Sequence, residues 1–193
     1  MHHISSIHTH GRLGVLHLPD FAELMKLEAK RDIEKRGTAY LLEKLFDREV
    51  ELLYTNEGKP YLKNKSCHIS ITHSHDKLAI VVNEKHPVGV DIELIRDKVL
   101  KIKHKFLSES ELNACGNDVQ KLITYWACKE AMYKYYSKKE VDFIEHLLVH
   151  PINEIGKGIT IGEIKIGNFV KKLNLHYEKT GEYMLVYTLD EIE

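Results

Sequence analysis

The chain has 193 residues and 43% hydrophobic content, enough to bury a core as one domain or as two small, closely packed halves. Its 28 Lys and Arg face 29 Asp and Glu, so no broad cationic field exists to drive nonspecific nucleic-acid binding. No apolar stretch approaches the run of about 20 residues that spans a bilayer, and the polar start Met1-His2-His3-Ile4-Ser5-Ser6 lacks a signal-peptide core. A soluble, cytoplasmic, monomeric protein without a membrane or nucleic-acid partner is expected. Cys67, Cys115 and Cys128 are odd in number and not closely paired, which argues for reduced thiols rather than a disulfide framework or a cysteine-rich zinc site.

In chain order, residues 13–18 read as a strand. Asp20 with Glu23 offers a cap for one helix running to about Leu45, with Gly37 as its weak point. That helix carries Lys30, Arg31, Lys35 and Arg36, either a solvated face interspersed with Asp32 and Glu34 or a phosphate-binding patch. Gly58-Lys59-Pro60 makes a turn. Residues 67–72, 78–83 and 88–93 alternate or run apolar and read as a three-stranded antiparallel meander. Ser108 with Glu111 is a capping box for a short helix, and a longer helix is expected from about Asp118 to Ser137. Strand patterns at 158–166, 173–177 and 183–189 suggest a second small sheet. Strands recurring after each major helix point to an α+β fold built on a duplicated plan.

The chemistry concentrates in two segments. In Val88-Gly89-Val90-Asp91-Ile92-Glu93 a period of two sends Gly89, Asp91 and Glu93 to one face, with the carboxylates roughly 6.5–7 Å apart and the glycine leaving space for a hard cation. The plain alternative is an amphipathic strand with its acidic side in water. On the long helix, Leu122, Trp126, Glu130 and Lys134 share one i, i+4 row, so an apolar stripe runs into a glutamate and a lysine. A surface Glu130–Lys134 pair is the simple reading, but the row carries the only tryptophan and should be at least partly covered. His73, where a strand gives way to a turn, is a candidate for phosphate contact or proton transfer. The histidines at 2, 3, 8 and 10 are irregularly spaced and are read as a mobile terminus rather than a metal site. The chain shows no G-x-S-x-G, P-loop or G-x-G-x-x-G motif, which weakens hydrolase, P-loop kinase and Rossmann readings.

Taken together these residues resemble the 4′-phosphopantetheinyl transferases of the longer, surfactin-synthetase-activating type. Gly58-Lys59-Pro60 is similar to the family's G-K-P loop, and Ser70 to Ser74 resembles its N-x-S-H-S segment. Gly89 to Glu93 matches G-V-D-I-E, Phe106 to Glu111 resembles F-x-S-x-x-E, and Trp126 to Lys134 matches W-x-x-K-E-A-x-x-K. Five motifs in order are far more specific than any one. The resemblance implies a pseudo-twofold pair of similar α+β halves, 1–96 and 97–193, each a small antiparallel sheet on a long helix, with coenzyme A in the cleft between them. By position, Asp91, Glu93 and Glu130 would hold Mg²⁺, and Lys134 would contact the coenzyme A pyrophosphate. Thr72 and His73 would meet coenzyme A phosphates, and Lys59 would lie beside the nucleotide. The 3′-phosphate falls to Lys30, Arg31 or Arg36, because Ala39 stands where a family arginine is expected.

The implied reaction moves phosphopantetheine from coenzyme A to a serine of an acyl or peptidyl carrier protein, with Asp91, Glu130 and Lys134 as the central catalytic groups. The base that takes the serine proton is Glu130 or a water on the ion. Ser70 and Thr72 replace the family's usual asparagine and serine. Two other readings stay open: a different metal-dependent phosphoester enzyme using the same carboxylates, and a noncatalytic homologue that binds a carrier protein or nucleotide.

Overall fold

The computed structural model describes residues 1–7 and 10–192, which form an α+β fold of two antiparallel sheets, each covered by a long helix. His8 lies outside the described residues. The first sheet contains β1 (His2–Ile7), β2 (Gly11–His17), β5 (His68–Ser74) and β6 (Lys77–Asn83), in the order β1-β2-β6-β5. Helices α1 (Leu18–Met25) and α2 (Lys30–Phe46) cover one face. Alternation along β6 explains the layering: Leu78, Ile80 and Val82 point to a core with Leu41, Leu42 and Leu45 of α2, while Ala79 and Val81 point the other way. A ribbon of β3 (Leu52–Tyr54) and β4 (Pro60–Leu62) flanks β5.

The second sheet runs β7-β11-β10-β9-β8, from β7 (Val90–Leu94), β8 (Leu147–Val149), β9 (Lys157–Ile166), β10 (Phe169–Thr180) and β11 (Tyr183–Ile192). Helix α4 (Val119–Tyr136) packs on its outer face and buries Leu122, Ala131 and Met132 against Met184 and Val186. The short α3 (Glu109–Cys115) opens with the expected capping box of Ser108 and Glu111, and α4 is capped by Asp118. Between the sheets lies a third cluster, in which Ala79 and Val81 meet Val90, Ile92 and Leu185. All three cysteines are free. No helix among the described residues is long and apolar enough to cross a membrane.

The structure corrects several sequence expectations. The helix expected from Asp20 to Leu45 is two helices, broken where Lys26 takes a left-handed φ of 52° and its N–H caps Ala22 and Glu23 carbonyls. Asp20 sits in the first turn of α1 rather than at its cap, and Gly37 lies inside α2, where the missing Cβ admits Leu16 and Leu18 side chains. The three-stranded meander is a β5–β6 hairpin only. Both edges of β6 are already taken by β2 and β5, so the chain crosses to the other sheet and β7 pairs with β11. His2 and His3 belong to β1 rather than to a loose end, paired with Leu16 and Val15.

Gly89, at the entry to β7, meets the backbone of α4 directly. A Cβ built there would stand 1.9 Å from the Ala131 carbonyl oxygen and 3.0 Å from the Tyr135 nitrogen. The space expected to admit a cation beside Gly89 is filled instead by a helix. Neither obstacle is a flexible side chain, so Gly89→Ala should lower stability by about 3 kcal/mol or prevent folding, at the upper end of overpacking effects. A urea midpoint within a few tenths molar of the parent would show that strand and helix can separate freely.

Candidate active site

The amphipathic pattern of β7 places Val90 and Ile92 in the core between the sheets and turns Asp91 and Glu93 toward α4. Asp91 is buried, 3% exposed, which rules out the reading of an acidic face in water. Its Oδ1 accepts hydrogen bonds from Thr72 Oγ1 (2.9 Å) and Lys134 Nζ (2.6 Å). Its Oδ2 is buried and has no hydrogen-bond partner among the described residues. Glu93 is held at both oxygens, Oε1 by the Trp126 indole N–H (3.1 Å) and Oε2 by Ser74 Oγ (3.2 Å). Glu130 lies one helical turn past Trp126 on the same row.

The electrostatics are those of crowded carboxylates. Burial pushes the Glu130 carboxyl up to about 7, helped by the charges of Asp91 and Glu93 and opposed by Lys134. Burial and the Asp91 charge also raise Glu93, against the pull of its Trp126 and Ser74 hydrogen bonds. Lys134 pairs with Asp91 across the cleft, not with Glu130 along the helix as the simple surface reading had it. Among the described residues no three His, Cys, Asp or Glu side chains stand close enough to hold an ion as placed. The donor set nonetheless suits a hard divalent cation: an unpartnered buried carboxylate oxygen, and two further carboxyls that resist carrying charge beside it.

The other expected site residues separate into groups. Lys59 and Lys134 line one cavity of about 180 Å³ with Gly58, Pro60, Ser70 and Tyr133, and burial lowers the Lys59 ammonium below its usual range. Thr72 faces Asp91, whereas His73 points out at the other side of β5, with Nε2 3.9 Å from Glu34 Oε2 on α2. Lys30 pairs with the same Glu34 at 3.6 Å. Arg31 is exposed on α2, and Arg36 borders a different cavity with Phe21, Met25 and Tyr40. The structure therefore joins Asp91, Glu93, Glu130, Lys134, Thr72 and Lys59 around one cleft, and leaves His73 on the α2 side of β5 and Arg31 and Arg36 on α2, away from the cavity that Lys59 and Lys134 line.

Several supports were missed by sequence reasoning. Ser70 Oγ accepts the Val90 N–H (3.1 Å), so this hydroxyl braces β7 rather than facing the cavity alone. Ser74 and the Trp126 ring nitrogen orient Glu93; the strand alternation that put Thr72 on one face of β5 also put Ser70 and Ser74 there, and was the available signal. Lys129, between Cys128 and Glu130 in the motif, is wholly buried and donates to Glu111 Oε2 (2.7 Å) and the Phe143 carbonyl (2.7 Å). Glu111 Oε1 in turn accepts the Val149 N–H (2.9 Å), so the pair locks α3, α4 and β8 together.

An α+β protein with a carboxylate and lysine site in the cleft between two sheets is the class that this fold and geometry define. The chain belongs to the 4′-phosphopantetheinyl transferase superfamily, whose family model matches residues 87–186, just over half of its length. It is similar to the 4′-phosphopantetheinyl transferase gsp of Aneurinibacillus migulanus, 33% identical over 106 residues, which are 51% of this chain and 44% of that protein. The match thus spans less than half the length of this relative. The family match contains β7 and all of α4, and so the four residues Asp91, Glu93, Glu130 and Lys134.

Removing one member of a buried ion pair strands the other charge, so Lys129→Met should destabilise the fold by about 3–5 kcal/mol. Adding Glu111→Gln, which keeps the acceptor for Val149, should recover much of that loss in urea unfolding. Equal stability of single and double variants would mean that the two charges are not coupled.

Proposed function

We propose that the chain transfers the 4′-phosphopantetheine moiety of coenzyme A to a serine hydroxyl of an acyl or peptidyl carrier protein in a Mg²⁺-dependent reaction. The observation that carries this reading is the buried, unpartnered Asp91 Oδ2, flanked by Glu93, Glu130 and Lys134, all within the span that the family model matches. In this reading residues 1–96 and 97–193 are the two related halves, with β7 as the strand that crosses between their sheets.

Asp91, Glu93 and Glu130 would hold the ion. When bound it would neutralise charge on the coenzyme A pyrophosphate and stabilise what builds up during transfer. Lys134 would turn from Asp91 to the pyrophosphate, and Lys59, on the same cavity, would steady the nucleotide side. Thr72 would line the phosphate wall facing Asp91, and His73, on the α2 side of β5, would meet the 3′-phosphate together with Lys30, Arg31 or Arg36 of α2. In the step itself the serine oxygen bonds to the pantetheine phosphorus and the phosphoanhydride bond breaks. The hydroxyl proton passes to an acceptor in the cleft, and 3′,5′-adenosine diphosphate leaves. Positioning and charge supply the rate, since the protein contributes no covalent chemistry.

Incubation with coenzyme A, Mg²⁺ and an apo carrier protein should add the mass of phosphopantetheine to the carrier. EDTA should stop the reaction and added Mg²⁺ restore it. No mass gain across several carriers, with coenzyme A still bound, would favour a noncatalytic homologue. Asp91→Ala and Glu130→Ala should each reduce transfer at least about 100-fold with the circular dichroism spectrum unchanged. Near-normal rates in either would remove that carboxylate from the site.

A further inference from the structure

Every residue of the tight turn that joins β5 to β6 is tied to another part of the molecule. Ser74 Oγ donates to Glu93 Oε2 on β7 (3.2 Å). Arg96 Nη1 lies 3.1 Å from His75 Nε2, and a guanidinium can only donate, so Nε2 accepts. That leaves His75 Nδ1 to donate to Ser74 Oγ, 3.3 Å away. A hydrogen-bond chain therefore runs one way, from Arg96 through His75 and Ser74 to Glu93. Asp76 makes the third tie: its Oδ1 accepts from the Tyr183 hydroxyl at the start of β11.

Asp76 is itself anchored on its own side. Its Oδ2 takes a bond from His17 Nε2 (3.1 Å), and its carbonyl accepts the Leu18 N–H (2.8 Å) where β2 passes into α1. Nδ1 of the same His17 lies 2.7 Å from Asp20 Oδ1. His75 holds a left-handed φ of 54°, a conformation that non-glycine residues adopt only when their surroundings fix it. Only Ser74 of the three lies in the segment that matches a family motif; His75 and Asp76 follow it.

We propose that Ser74-His75-Asp76 is a strap across the mouth of the cleft, in which Asp76 and Tyr183 are positioning residues. Through their bond the strap reinforces the hold of Thr72 on Asp91 and fixes His73, one residue before it on β5, relative to Glu93 on the other sheet. Farther back along β5 the sheets also meet through Thr72 Oγ1 to Asp91 Oδ1 (2.9 Å) and Val90 N–H to Ser70 Oγ (3.1 Å), beside the apolar contacts of Ala79, Val81, Val90 and Ile92; the strap adds the ties at the turn end of that seam. The inference rests on the transferase reading only for what that wall binds.

Tyr183→Phe tests the strap by removing one hydroxyl and keeping the ring in its place. Amide hydrogen exchange should quicken about tenfold at residues 73–77 while β9 and β10 keep their protection. Coenzyme A should bind about 3–10-fold more weakly in equilibrium dialysis, the scale of one buried hydrogen bond. Asp76→Ala should reproduce both effects, Asp76→Asn, which keeps an acceptor for Tyr183, should soften them, and Asp76→Ala joined to Tyr183→Phe should bind coenzyme A no more weakly than Asp76→Ala alone. Unchanged exchange at 73–77, or equal acceleration in both sheets, would overturn the strap. If the unaltered protein fails to bind coenzyme A while the exchange response stays local, the strap stands and the transferase reading falls.

Discussion

Strand β7 and helix α4 approach each other backbone to backbone at Gly89, and the arrangement of the cleft depends on that contact. With no Cβ between them, the strand lies against the Ala131 carbonyl, and its next two outward residues inherit fixed partners on the helix. Asp91 meets Lys134, and Glu93 meets Trp126, as the strand runs toward the helix N-terminus. One methyl group at position 89 would push these pairs apart. The glycine of G-V-D-I-E is therefore a spacing device for the carboxylates that follow it.

The same helix divides its charges between two tasks. Lys129 and Glu130 are neighbours in sequence, but neighbouring helical residues point about 100° apart. Lys129 turns into the interior, where Glu111 and the Phe143 carbonyl compensate it, and burial still lowers its ammonium below the usual range. Glu130 turns to the cleft, where burial and two other carboxylates act on it without an equal compensating charge. One pair is satisfied by the protein alone. The other sets three carboxyls against a single lysine, so burial and mutual repulsion act on it with less compensation.

Legibility in the sequence followed the range of the interactions. Helix α4 could be bounded from Asp118 to Ser137, because its caps and its apolar row are local; Asp118 is the N-cap and Ser137 the left-handed C-cap. The period of two in β7 foretold which residues share a face, and the capping box at Ser108 was visible four letters at a time. The partner sheet of β7 was not visible. Nothing in 88–94 distinguishes pairing with β6 from pairing with β11, and the choice turns on β2 having already filled the free edge of β6. The break at Lys26 was hidden too, since no glycine or proline marks a turn that Lys26 itself makes by adopting a left-handed conformation. Within the cleft, the carboxylates and Lys134 could be read from patterning, whereas Ser70 and Ser74 act across the two sheets and the indole of Trp126 acts from helix to strand, contacts between segments far apart in sequence.

The pairing of β7 with β11 also bears on how the molecule comes to exist. Val90 is registered with Tyr187 and Leu94 with Tyr183, partners nearly a hundred positions later in the chain. Closing so long a loop is slow, and β7 can gain its sheet only when the final strand arrives. During synthesis the first sheet can assemble from residues 2–83 alone, while Asp91 and Glu93 stay on an unpaired segment until residue 187 has emerged. The carboxylates of the cleft are therefore among the last groups to be organised, and a chain interrupted before β11 lacks the strand against which Asp91 and Glu93 are registered.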